Sequence, residues 1–255
     1  MSNLNSKPVL QQNIQDGKLK IWRILLILPL RLVLAVIFQA LTSIIFKLLN
    51  DPTPWQSAGE WWIVYATLID LGCLLAVTIS VRKENIRVWD LVSYEKSKLK
   101  KDILYGLLWY IVAGAVSFGS IVLMGFLVYG VFPAPTSITK IHWIGLAYSF
   151  SIFPIFWAFT EEIFYNGFLF PRLEAITDSK WKAYLIVVPM FMIQHIALPL
   201  QLGSQELLYG AFWTLPLVLV IVFIYMRTRR LLPLIIMHYM IEIFALASAI
   251  FLIPS

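Results

Sequence analysis

The chain has 255 residues, 60% of them apolar or aromatic and only 13% charged, with Lys and Arg outnumbering Asp and Glu 20 to 14. Soluble domains carry about a quarter charged residues. This composition therefore excludes an ordinary soluble enzyme, a disordered chain and a collagenous or repeat protein, and predicts an all-α, polytopic transmembrane helix bundle. The net charge of +6 is read as a topology signal and an affinity for anionic lipid, with no nucleic acid among the expected partners.

Residues 1–20 are polar and read as a flexible arm. Seven apolar runs then reach bilayer length, at about 20 residues each: Ile21–Leu49, Trp61–Val81, Ile103–Phe132, Ile141–Arg172, Trp181–Leu200, Glu206–Met226 and Leu231–Phe251. The first, third and fourth exceed a bilayer width and are expected to tilt, kink or continue along the surface, with Pro154 a kink point in the fourth. The single cysteine, Cys73, lies inside an apolar run and reads as a small core residue. Residues 82–102 mix charges with Ile86, Val88, Trp89, Leu91, Val92 and Leu99. Two readings stand for this stretch: an interfacial amphipathic helix or a plain loop.

The basic residues test the segmentation independently. Lys7, Lys18, Lys20 and Arg23 open the chain, seven more lie in the 82–102 loop, Arg172, Lys180 and Lys182 flank the fourth loop, and Arg227, Arg229 and Arg230 fill the sixth. Seventeen of the 20 thus fall on one side; Lys47 and Lys140 lie opposite and Arg31 within a helix. By the positive-inside rule the N-terminus is expected in the cytoplasm. The organisation expected is a polar arm (1–20), N-terminal helices with the basic loop (21–135), and a second helical region (136–255).

Charges near the bilayer centre are costly, so each asks for a reason. Arg31 and Asp70 are expected at similar depth, about 12 and 18 Å in, and admit two readings: a structural ion pair, or a lining of a polar chamber. Glu161, Glu162, His195, His238 and Glu242 form a second set. At 1.5 Å per helical residue they share a band about 8 Å thick near the midplane, which a common polar chamber among three helices would explain. His238 and Glu242, four apart, share a helix face. Glu162 and Asn166 have the same spacing and can hydrogen-bond. Glu161 and Glu162, about 100° apart, cannot point the same way on an α-helix. A carboxylate beside a histidine can take a proton from water and return it to a leaving amine, while a second histidine donates to an oxyanion. The same side chains could instead bind a transition metal, zinc above all.

These residues carry a resemblance. Glu161-Glu162-Ile-Phe-Tyr-Asn166-Gly167 resembles the EExxxR(G) motif of the CPBP family, which comprises CAAX-processing proteases and bacteriocin-processing or self-immunity proteins. Phe191-Met-Ile-Gln-His195 matches its FxxxH motif, and His238-Tyr-Met-Ile-Glu242 resembles its HxxxN motif. The resemblance implies an intramembrane endopeptidase, either of glutamate type with no cofactor or zinc-dependent, with Glu161, His195 and His238 as the metal set in the latter case. Catalytic roles carried over fall on Glu161 (base), Glu162 (supporting carboxylate), His195 (partner of Glu161) and His238 (oxyanion donor), with Phe191, Asn166 and Glu242 in support. Expected partners are a peptide or protein substrate, such as a bacteriocin or membrane-anchored peptide, and membrane lipids; the expected location is a bacterial plasma membrane. Two positions depart from the motifs: Asn166 stands for the arginine and Glu242 for the asparagine. A catalytically inactive binding or immunity protein of the same fold is the alternative these departures keep open.

Overall fold

Apolar residues dominate the helices so strongly that the order of the elements follows the placement of Pro, Gly and polar clusters between them. The computed structural model describes residues 5–131 and 143–251. Lys140, the junction at 135–136 and the expected span ends at Phe132 and at 141–142 lie outside these. The described residues are helical nearly throughout, in the order α1 Lys7–Gln15, α2 Ile21–Ile27, α3 Leu30–Leu48, α4 Pro54–Glu60, α5 Trp62–Lys83, α6 Val88–Val92 and α7 Leu99–Tyr129. There follow α8 Trp143–Ser151, α9 Phe153–Glu161, a π-helix Glu162–Leu169, α10 Phe170–Thr177, α11 Lys180–Ile193, α12 Ser204–Phe212, α13 Leu215–Thr228 and α14 Leu231–Phe251. Several starts are set by proline in the first turn, where the missing N–H costs nothing: Pro8, Pro54, Pro154, Pro171 and Pro216.

Among the described residues, four helical stretches are long and apolar enough to cross a membrane: Ile21–Leu48, Trp62–Lys83, Val88–Tyr129 and Ser204–Thr228; Leu231–Ala247 is a shorter apolar helix. The protein is thus a multi-pass integral membrane protein with an all-α bundle fold. Outward-facing side chains such as Leu48, Leu127 and Leu185 present the apolar surface that hydrocarbon requires. The fourth and fifth expected spans differ from single long helices. Pro154 starts α9 rather than kinking a continuous helix, and the π-helix and Pro171 divide the rest. Helix α11 ends at Ile193, where Gln194–Ile196 tightens into a 3₁₀ turn.

Three further departures concern the end of the bundle that carries the basic loops. The arm is not free: from Lys7 it forms α1, buries Leu10 and Asn13, and pairs Lys7 with Asp178. Asn5 donates from Nδ2 to the carbonyl of Gly167 at 2.8 Å and accepts from Arg172 Nη1 at 3.2 Å. Arg172, expected as a solvated flank, is fully buried and grips both oxygens of Glu84 through Nε and Nη2, at 3.0 and 2.8 Å. Residues 82–102 combine both readings: a short α6 buries Leu91 and Val92 while Trp89 stays exposed, and a 3₁₀ turn leads into α7.

Helix α14, which carries His238, packs closely along α7. A methyl group on Gly106 would lie 2.8 Å from the Ile236 side chain and 3.0 Å from the Pro233 carbonyl, so glycine permits this approach, as small residues do between membrane helices.

Candidate active site

The motif Glu161–Gly167 begins where the helix changes its winding. Glu161 closes α9 and Glu162 opens the π-helix, a local i→i+5 arrangement frequent at functional sites. Every residue of the π-helix is buried, so the polar groups it carries must find partners inside the protein.

His238 supplies the common partner. Its Nδ1 lies 2.9 Å from Glu162 Oε1, and its Nε2 lies 3.5 Å from both Glu161 Oε2 and Glu242 Oε1. Asn166 donates from Nδ2 to the other oxygen of Glu162 at 2.8 Å. The two adjacent glutamates thus meet one imidazole at its two nitrogens, rather than serving separate directions as α-helical geometry suggested. A doubly protonated ring donates to both; a neutral ring donates to only one. The pairings expected from spacing, His238 with Glu242 and Glu162 with Asn166, are both present.

Glu161 is held from the other side by residues that lie outside the motif pattern. Arg31 Nη2 lies 3.2 Å from Glu161 Oε1, and Gln194 Nε2 donates to the same oxygen at 2.7 Å. Arg31 is itself bonded through Nη1 to Asp70 Oδ1 at 2.6 Å, with its guanidinium 4.2 Å above the Trp157 ring. Arg31, Asp70 and Glu161 are all completely buried. The Arg31–Asp70 pair is therefore both of its expected readings at once: an ion pair between helices and part of the polar chamber. Tyr165 donates its hydroxyl to Gln194 Oε1 at 3.2 Å, fixing the amide so that its nitrogen faces the carboxylate.

His195 stands apart from this cluster. Its Nδ1 donates to the Phe191 carbonyl at 3.0 Å and its ring meets Trp213 edge-on at 5.8 Å between centroids. Among the described residues it makes no hydrogen bond or ion pair with Glu161; Gln194, one residue earlier in the 3₁₀ turn, makes that contact instead. Phe191 packs beside both histidines: its ring stacks on Tyr165 at 4.3 Å and lies 6.2 Å from His195 and 6.5 Å from His238. With Nδ1 donating to a carbonyl, a neutral His195 presents Nε2 as an acceptor.

The segment after His195 is tied to the N-terminal helices. Gln39 accepts from the Leu200 N–H at 2.8 Å and donates to the Leu200 carbonyl at 3.0 Å, and Trp55 donates to the same carbonyl at 2.9 Å. Gln39 is a buried amide within an apolar helix and was not singled out from the sequence.

The zinc set implied by the resemblance does not fit. No group of three His, Cys, Asp or Glu among the described residues is arranged to hold a metal ion: Glu161 and His238 approach each other, but His195 turns toward Phe191 and Trp213.

Residues 141–244 match the family described as type II CAAX prenyl endopeptidase Rce1-like. Neither the curated proteins nor the solved structures contain a match. The match spans all three motifs, Glu161–Gly167, Phe191–His195 and His238–Glu242, and over these residues the chain is similar to that CAAX-type protease family.

Proposed function

We propose that the protein is an intramembrane endopeptidase of glutamate type. The observation that carries this reading is the asymmetry of Glu161: one oxygen is held by Arg31 and Gln194, while Oε2 accepts no hydrogen bond among the described residues and faces His238. A preorganised carboxylate with one oxygen left to react suits a general base.

In the reaction, a water gives one proton to Glu161 Oε2 as its oxygen attacks the carbonyl carbon of the scissile bond. The tetrahedral oxyanion accepts from Nε2–H of His238, the ring nitrogen turned toward Glu161 Oε2. Glu162 at Nδ1 orients that ring, and Asn166 orients Glu162. His195 Nε2 holds the second hydrogen of the water. As the C–N bond breaks, Glu161 returns its proton to the leaving nitrogen, and the carboxylate is restored. Glu242 limits this scheme, since an ionised carboxylate beside an oxyanion is repulsive; the protonated form donates instead.

The substrate class follows the family description: a membrane-anchored peptide, with a prenylated CAAX-type C-terminus as the first probe and a bacteriocin precursor as the second. No metal is assigned a step. The test is cleavage of a fluorogenic farnesylated CAAX-type peptide, and of a bacteriocin precursor, by the purified protein in proteoliposomes. Wild type should cut at least one and Glu161→Gln, at equal membrane level, neither. Equal cleavage by the Gln variant would remove Glu161 as base.

A second reading is a binding or immunity protein that holds its target without cutting it. The ion pair of Arg31 with Glu161 favours it, because a buried arginine–carboxylate pair can serve structure alone. Target peptide recovered intact from a stable complex would establish this reading in place of the first.

A further inference from the structure

We infer that Arg31, on the first spanning helix, is a positioning residue for Glu161; the inference rests on the peptidase reading above. Four observations converge. The first motif carries Asn166 where its pattern has arginine, and Asn166 is occupied with Glu162 rather than with Glu161. Arg31 is fully buried, its Nη2 reaching Glu161 Oε1 at 3.2 Å. Its orientation is fixed twice over, by the 2.6 Å bond to Asp70 and by the Trp157 ring beneath it. Gln194 meets the same oxygen from another helix, so two groups on different helices hold Oε1.

The geometry divides the labour among three helices. Asp70 orients Arg31, Arg31 and Gln194 orient Glu161, and Oε2 is left as the one oxygen that meets the water. An arginine suits this role better than a lysine, because its planar fork serves two carboxylates at once whereas an ammonium is a single point charge. A purely structural Arg31–Asp70 pair would need neither the second contact nor its placement on the oxygen opposite His238.

The experiment uses the full-length protein in proteoliposomes with the peptide that the wild type cleaves. Arg31→Met alone leaves Asp70 as an unpaired buried charge and tests folding as much as function. The double variant Arg31→Met/Asp70→Leu removes both charges, a change that buried pairs often tolerate. The expected result is wild-type membrane level with kcat lowered about 100-fold and KM unchanged. Arg31→Lys should recover part of that loss. A double variant with wild-type kcat would show Arg31 to be only the counter-ion of Asp70 and would overturn the inference.

A second readout does not depend on turnover. The infrared difference between wild type and Glu161→Gln isolates the carboxyl bands of Glu161. In the Arg31→Met/Asp70→Leu background these bands should move, because Oε1 has lost the cation paired with it; unchanged bands overturn the inference. Should the wild type cleave neither peptide, the peptidase reading falls and the infrared comparison alone decides whether Arg31 holds Glu161.

Discussion

Gln194 donates to Glu161 over 2.7 Å, and this bond joins the second motif to the first. Its neighbour His195 bonds to Phe191 and faces Trp213 instead. Gln194→Leu should lower the free energy of unfolding in detergent by about 1.5–3 kcal/mol, the range for a hydrogen bond to a charged group. Cleavage should fall with it, since Glu161 would keep only Arg31. Gln194→Glu should be worse on both counts because it sets one carboxylate against another. Wild-type unfolding in Gln194→Leu would show that the bond carries no weight.

The buried pair of Arg172 with Glu84 makes a different kind of prediction. Arg172→Met or Glu84→Gln alone should cost about 3–5 kcal/mol by leaving an unpaired buried charge. The double variant should recover most of it. Additive losses in thermal unfolding would contradict the pairing.

Gly106 should not tolerate a larger side chain. Gly106→Val pushes against Ile236 and the Pro233 carbonyl and should cost about 1–3 kcal/mol by overpacking. It should also disturb His238, two residues beyond Ile236 on α14. Gly119→Val on the same helix, with nothing within 4 Å of its Cβ, is the matched control and should unfold as wild type does. Equal effects of the two would mean that α7 and α14 are not in close contact at Gly106.

The arm should loosen in acid. Hydrogen bonding to Lys7 draws the Asp178 carboxyl below its ordinary 3.8. A depressed carboxylate contributes stability that is present above the ordinary value and is lost as pH falls through the lowered one. A nitroxide at position 15, in a Cys73→Ala background, should gain mobility as pH drops below about 4, and Asp178→Asn should show that mobility already at neutral pH. A label whose mobility ignores both changes would place the hold on α1 elsewhere, in Leu10 or Asn5.

The helical class and membrane character were legible because hydropathy reports directly on the solvent around a helix. The pairings His238–Glu242 and Glu162–Asn166 were legible because four-residue spacing is local geometry. Three features were not. The π-helix that carries Glu162 and Asn166 has no residue pattern that announces it. Gln194 looked like a spacer because its role depends on the 3₁₀ turn that ends α11. Arg172 flanks a loop and Asn5 lies in the polar arm, yet Arg172 meets both Asn5 and Glu84 across 88 or more positions of sequence. Arg31 was visible as an anomaly in an apolar helix, but only the fold shows that its second hand reaches the first motif.

That reach sets a limit on modularity. The stretch 141–244 that matches the family ends Glu161 on a guanidinium rooted 130 residues upstream. A chimaera that moved this stretch under unrelated leading helices would transplant the carboxylates without their anchor, whereas one that also moved helices α3 and α5, with Arg31 and Asp70, would transplant a complete constellation. The heritable unit of this site is therefore a set of helices contiguous in space and scattered along the chain.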